Sequence, residues 1–183
     1  MIDSCLRYQT ETKELVLIDL NANVEALEQA IDMLSEDVVQ KIEQCIFSNA
    51  VFLQALPNNL GQFPLLKRLS ISHCNSLQNL ENIQKLAIEN LDASRCIKLK
   101  DVSQIEHLHQ LRSLDLSYDL SLESLEVLPL LTETLCELNL EGLVKLQSTR
   151  HLIALKNLKQ LNIRYTSIKN LDELGFIPKI LWI

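Results

Sequence analysis

Glycine is scarce, with 3 residues among 183, and this all but excludes a glycine-rich loop cradling phosphate. Neither a His-Glu-x-x-His pair for zinc nor a Gly-x-Ser-x-Gly nucleophile turn is present. Apolar runs are short. None approaches the roughly 20 residues needed to cross a bilayer, so no membrane insertion is expected. The opening Met1-Ile2-Asp3-Ser4-Cys5-Leu6-Arg7 has neither the basic start nor the apolar core of a Sec signal. Basic residues are outnumbered, Lys+Arg 17 against Asp+Glu 24 with a net charge of -7, and they form no run. Affinity for a nucleic-acid backbone comes largely from basic side chains that neutralise phosphates, so no nucleic-acid partner is expected. The 5 cysteines (Cys5, Cys45, Cys74, Cys96, Cys136) form an odd set without a Cys-x-x-Cys pair. That points away from structural zinc or dithiol redox chemistry and toward a reducing, cytoplasmic setting. Nothing in the composition implies a cofactor.

What the chain has in excess is leucine, 39 residues or about a fifth of the sequence. The length suits one domain with a sizeable core, and the leucines are not scattered through it. The segment Leu66-x-x-Leu69-x-Ile71-x-x-Cys74-x-x-Leu77-x-x-Leu80 returns as Ile88, Leu91, Ala93, Cys96, Leu99 and Val102. It returns again as Leu111, Leu114, Leu116, Asp119, Leu122 and Leu125, then from Leu135, and in a form shortened after Thr166 from Leu158. Upstream, Ile42, Cys45, Phe47, Ala50, Leu53 and Leu56 fit the same template, and Leu15 and Leu17 fit it loosely. The residues opening each apolar-x-apolar pair (Leu15, Cys45, Leu69, Leu91, Leu114, Leu138, Leu161) lie 30, 24, 22, 23, 24 and 23 apart. One such unit cannot close a core alone, but stacked neighbours can, which predicts an array of about seven turns.

The segments "LKRLSISHCNSL" and "IENLDASRCIKL" resemble the leucine-rich-repeat pattern L-x-x-L-x-L-x-x-N/C-x-L, over about residues 12 to 174. The resemblance implies an α/β solenoid, a horseshoe with a parallel concave sheet and an N-terminal helical cap. A nearly bare repeat array also looks like the short leucine-rich-repeat effector and adaptor proteins of intracellular bacterial pathogens. It is equally similar to repeats of plant immune receptors and F-box-linked adaptors. The resemblance thus implies a non-catalytic protein–protein interaction module that holds another protein on its concave face. Such a module is either an effector delivered to a host cytosol or an inhibitor or modulator of a partner enzyme. A eukaryotic-type adaptor or scaffold is the alternative.

One domain over 1–183 is expected, with an N-terminal strand and capping helix in 1–43, repeats in 44–174 and a C-terminal cap in 175–183. Helical spacing of Val24, Leu27, Ile31, Leu34, Val38, Val39 and Ile42 accounts for the long first step. Phe176, Ile177, Ile180, Leu181 and Trp182 are expected to shut the last turn, with a final strand near Lys179 to Ile183. In the position that the family fills with a small polar ladder, Asp119 and Leu143 depart from the pattern. A buried unpaired carboxylate is costly, so Asp119 is expected to bond backbone N–H groups or to turn outward.

Strand geometry makes the outward residues readable. A central column runs Val16, Ile46, Ser70, Asp92, Asp115, Asn139, Asn162. A second runs Ile18, Ser48, Ser72, Ser94, Ser117, Glu141, Arg164, and a strand-exit column runs Asp19, Asn49, His73, Arg95, Tyr118, Gly142, Tyr165. Tyr and Arg dominate interface energetics. In a chain with 4% aromatics, Tyr118, Tyr165 and Arg95 therefore mark the expected docking edge. Around them lie Arg164, His73, Ser94, Ser117 and Asn139. Asp92, Asp115, Glu137 and Glu141 make the centre acidic and suited to a basic or amide-rich partner element. Two enzymatic alternatives compete: a Cys/His nucleophile from His73 with Cys74 or Cys96, and a metal site from His107, His109 and Glu106. The repeat frame opposes both, because it points the cysteines inward and puts the histidine pair on the convex surface.

Overall fold

The structure is a computed structural model that describes residues 5–122 and 124–182. Nine strands form one sheet in sequence order: β1 (Leu6–Gln9), β2 (Glu14–Leu17), β3 (Gln44–Ile46), β4 (Arg68–Ser70), β5 (Asn90–Asp92), β6 (Ser113–Asp115), β7 (Glu137–Asn139), β8 (Gln160–Asn162) and β9 (Lys179–Leu181). All neighbouring pairs from β2 onward are parallel, and β1 alone is antiparallel, folding back on β2.

Leucine spacing and sheet register agree residue for residue. Leu15, Cys45, Leu69, Leu91, Leu114, Leu138 and Leu161 are aligned partners across successive strands, followed by Ile180. Each is buried except the half-buried Ile180. Pairing continues past the three-residue strands. Ile71 N–H donates to Asp92 O at 2.8 Å, His73 N–H to Ser94 O at 2.9 Å, and Tyr118 N–H to Glu141 O at 2.7 Å. The strand-exit turns are therefore locked to one another as firmly as the strands.

Steps of 22 to 24 residues leave little chain for the return to the next strand. Most returns are accordingly short 3₁₀ turns, as at Ile83–Lys85, Ser103–His107 and Leu128–Leu131. Among the described residues only the first return, spanning the 30-residue step, holds α-helix, and it is broken in two. Helix α1 (Val24–Asp32) is capped by Asn23, whose Oδ1 accepts from Ala26 N–H at 2.9 Å. It stops at Met33, and α2 (Glu36–Val39) restarts after Ser35. The expected inward face is kept across the break, with Leu27, Ile31, Val39 and Ile42 buried and Val24, Leu34 and Val38 half-buried.

Both ends differ from expectation in detail. Strand β1 covers the edge of β2, a feature the repeat spacing does not contain. At the other end Ile177 is buried, but Phe176 and Trp182 remain 36% and 42% exposed. Lys156 Nζ lies 4.4 Å from the Phe176 ring centroid.

Candidate functional site

The central column stands in register as read: Ser70, Asp92, Asp115, Asn139 and Asn162 are consecutive partners across β4 to β8. Their side chains do not simply face solvent. Ser70 Oγ donates to Asp92 Oδ2 at 2.9 Å, and Asn139 Nδ2 donates to Asp115 Oδ2 at 2.8 Å. Asn162 Nδ2 donates to Glu141 Oε2 at 2.8 Å. Each acid or amide also accepts the backbone N–H two residues on. Ser94 donates to Asp92 at 3.1 Å, Ser117 to Asp115 at 2.8 Å, Glu141 to Asn139 at 3.1 Å and Arg164 to Asn162 at 3.2 Å. These are Asx-turns, which bend the chain at each strand exit. The serine positions join the same network: Ser94 Oγ donates to Asp92 Oδ1 at 2.7 Å, and Ser72 Oγ to Ser48 Oγ at 3.0 Å. Ser117 departs from the expected exposure. It is buried, because its short side chain lies in the turn closed by Asp115 and by Arg95 N–H donating to Ser117 O at 2.8 Å.

The strand-exit column has a common backbone state. Asn49, His73, Arg95, Tyr118 and Tyr165 have φ between 56° and 65°, and Gly142 has φ 73°. Tyr118 is the centre of a side-chain stack. The Arg95 guanidinium sits 4.3 Å from its ring centroid, and its hydroxyl donates to Glu141 Oε1 at 2.6 Å. A Cβ on Gly142 would stand 2.5 Å from Tyr118 Cδ1, so this turn admits the ring only because it lacks one. The hydrogen bond to Glu141 raises the Tyr118 pKa, while bonds from Tyr118 and Asn162 lower that of Glu141. His73, Arg95, Arg164 and Tyr165 are exposed, Tyr165 at 63%. The structure therefore joins Arg95, Tyr118 and Glu141 in one cluster.

Asp119 follows the first of its two expected outcomes. It is buried, and Oδ1 accepts Cys96 N–H at 2.7 Å, while Oδ2 has no partner. Burial pushes its pKa up to about 9, opposed by the Cys96 bond and reinforced by Asp115 and Asp92. The carboxyl is therefore neutral at pH 7. Cys74 and Cys96 occupy the equivalent places in the two preceding turns, and their thiols donate to Phe47 O and Ile71 O at 3.2 and 3.1 Å. Burial raises the pKa of both, that of Cys74 to about 11. A protonated thiol facing a carbonyl is a poor nucleophile. Leu143 joins the core. His107 lies 3.4 Å from Glu106 on an exposed 3₁₀ turn. Among the described residues no group of three His, Cys, Asp or Glu is arranged to hold a metal ion.

The outward face has a further column at the strand entry, where Arg68, Asn90, Ser113, Glu137, Gln160 and Lys179 are successive partners. Of these, only Glu137 stood out in the sequence. The alternation that identifies the central column places them on the same face, two residues earlier.

A parallel sheet of equivalent turns, with its inner leucines in register, defines a leucine-rich-repeat solenoid. No family model matches the chain, and no curated protein matches it significantly. Among solved structures it is similar to human 5T4, the trophoblast glycoprotein, with 16% identity and TM-score 0.62, covering 98% of this chain and 78% of that one. It is also similar to internalin C2 of Listeria monocytogenes, with 15% identity and TM-score 0.57, covering 82% of this chain and 84% of that one. At such identities the similarity is one of fold. Among the described residues no helix is long and apolar enough to cross a membrane.

Proposed function

We propose that this chain is a non-catalytic module, a single domain over 1–183, that binds another protein along the strand-exit side of its concave sheet. The observation that carries this reading is the concentration of anchors there. Two of the 3 tyrosines in the chain lie in one column, Tyr118 stacked with Arg95 and Tyr165 largely exposed. Aromatic and Arg side chains held rigid before contact lose little entropy on binding, which is what an interface anchor needs. A standard interface buries about 800 Å² per partner, an area that a face of eight parallel strands offers readily. The Asp92 and Asp115 carboxylates favour a partner element that is basic or rich in amides. The free cysteines, four of them buried, support a reducing compartment.

The test is quantitative capture by immobilised wild-type and variant chains. Tyr118 also holds Glu141, so Arg95→Ala with Tyr165→Ala is the cleaner variant. A partner captured by the wild type should fall by at least about tenfold in affinity, the cost of removing interface anchors, with the melting temperature unchanged. Equal capture by both chains would exclude this edge as the docking site.

A further inference from the structure

Beyond the sheet face, each turn continues along a flank, and there the residue types change. The positions following the ladder residues are Val51, Asn75, Ile97, Leu120, Val144 and Ser167. In three consecutive turns Ile97, Leu120 and Val144 are 46%, 48% and 56% exposed. Isolated exposed aliphatics need no explanation, but a row of equivalent positions does. The next residue is Lys98 beside Ile97 and Lys145 beside Val144, both exposed. Neither forms an ion pair among the described residues, in a chain of net charge -7.

Between Leu120 and Val144 the surface opens into a cavity of about 340 Å³, lined by Leu122, Leu125, Leu143 and Leu146 and by Glu126 and Arg150, whose charges neutralise each other at 3.5 Å. That is at the small end of the range for ligand pockets and has ample room for a large apolar side chain. Asp119 borders it. Because its carboxyl is neutral at pH 7, it does not repel an acidic visitor.

We propose that this flank is a second docking surface, whose occupant is an acidic amphipathic helix of another protein lying along the solenoid axis. The pitch favours a helix over an extended peptide. Adjacent turns are spaced by about 4.8 Å, so Ile97 to Val144 spans about 10 Å. A helix presents positions i, i+3 or i+4, and i+7 on one face over about 10.5 Å. An extended strand repeats a face every two residues, at about 6.6 Å, and falls out of step. Acidic residues bordering the apolar stripe of the helix would meet Lys98 and Lys145, and one large stripe residue would enter the cavity.

The probe is a labelled helical peptide of about 16 residues, long enough for marginal helicity, with a Leu/Phe stripe bordered by Glu. Fluorescence anisotropy is measured with wild-type chain, with Lys98→Glu/Lys145→Glu, with Leu120→Glu, and with Arg95→Ala/Tyr165→Ala. The expected result is binding by wild type, a loss of about tenfold or more in the first two variants, and no change in the third. A companion peptide with Lys in place of Glu should not bind. The proposal is overturned if the acidic peptide fails to bind, if the basic peptide binds equally, or if charge reversal on the flank has no effect. A fourth outcome would replace the helix with a lipid surface. That outcome is vesicles of phosphatidylserine and phosphatidylcholine capturing wild type but not Lys98→Glu/Lys145→Glu, while the peptide is ignored.

Discussion

The sheet face and the flank beside it are both exposed and both carry charged residues, yet they use those groups in opposite ways. On the sheet, Asp92, Asp115, Asn139 and Asn162 each cap a strand exit through a backbone N–H, and each bonds a side chain of an adjacent turn. On the flank, Lys98 and Lys145 have no ion pair among the described residues, and the aliphatics beside them are half exposed. A polar residue already satisfied within the protein offers a partner shape and charge, but a new bond there must replace an old one. An unsatisfied cation next to an open apolar patch carries no such debt. Counting charged residues on a surface therefore misleads unless their existing partners are counted too.

Three substitutions sharpen this contrast, and the largest effect belongs to neither surface but to the group beneath both. Asp119 has a folded pKa of about 9 against an ordinary value of 3.8. Between those values the folded state holds one more proton than the unfolded state, so stability falls as pH rises across that window. For a single group the slope is at most about 1.4 kcal/mol per pH unit. Asp119→Asn keeps an acceptor for Cys96 N–H and removes the titration. Urea unfolding at pH 5, 7 and 8.5 should show a flatter dependence and a more stable variant at the alkaline end. A parallel dependence in both chains would mean that Asp119 is not the titrating group.

Next comes Gly142→Ala, at the join between sheet and stack. The left-handed backbone and the 2.5 Å approach to the Tyr118 ring both oppose a methyl group. A loss of roughly 1–3 kcal/mol is expected, with Tyr118 fluorescence shifting as the ring is displaced from Arg95. The smallest is Asp115→Ala, which removes acceptors from Ser117 N–H and Asn139 Nδ2. At about 1 kcal/mol per net hydrogen bond, a loss of about 1–2 kcal/mol in thermal or urea unfolding would mark the ladder as structural. An unchanged midpoint would return Asp115 to the solvent-facing role that its composition suggests.

The contrast also explains what was legible in the sequence. The register of Leu69, Leu91, Leu114 and Leu138 could be read directly, because a buried strand position in a stacked array admits few side chains and repeats at a fixed step. The outward columns followed from alternation. What alternation could not supply is what an outward polar side chain bonds to. Asp115 and Asn139 read as free because their partners, a backbone N–H two residues on and each other's side chain one turn away, depend on the turn and on stacking. The signal for the first was present, since Asp or Asn two residues before a strand exit is a known turn former. Strand β1 was missed for a different reason: it pairs antiparallel and so breaks the repeat that exposed every other strand. The Asp119 environment could be anticipated only by halves: its bond follows from the cost of burial, whereas its neutrality follows from the depth of that burial, with Asp115 and Asp92 adding to it, and both depend on stacking.

The left-handed backbone of the strand exits carries a further consequence. That conformation is comfortable for glycine, tolerated by asparagine and strained for most other residues, yet His73, Arg95, Tyr118 and Tyr165 hold it, and only Asn49 and Gly142 take the easier choice. Replacing those four with glycine would relax the backbone, turn by turn, and in the same stroke strip the column of every large side chain. Backbone comfort and surface character are thus set against each other at single positions. Selection for a sturdier chain, by evolution or in a directed screen, would be expected to erode this edge first and so to produce a well-folded solenoid with a bare strand-exit column.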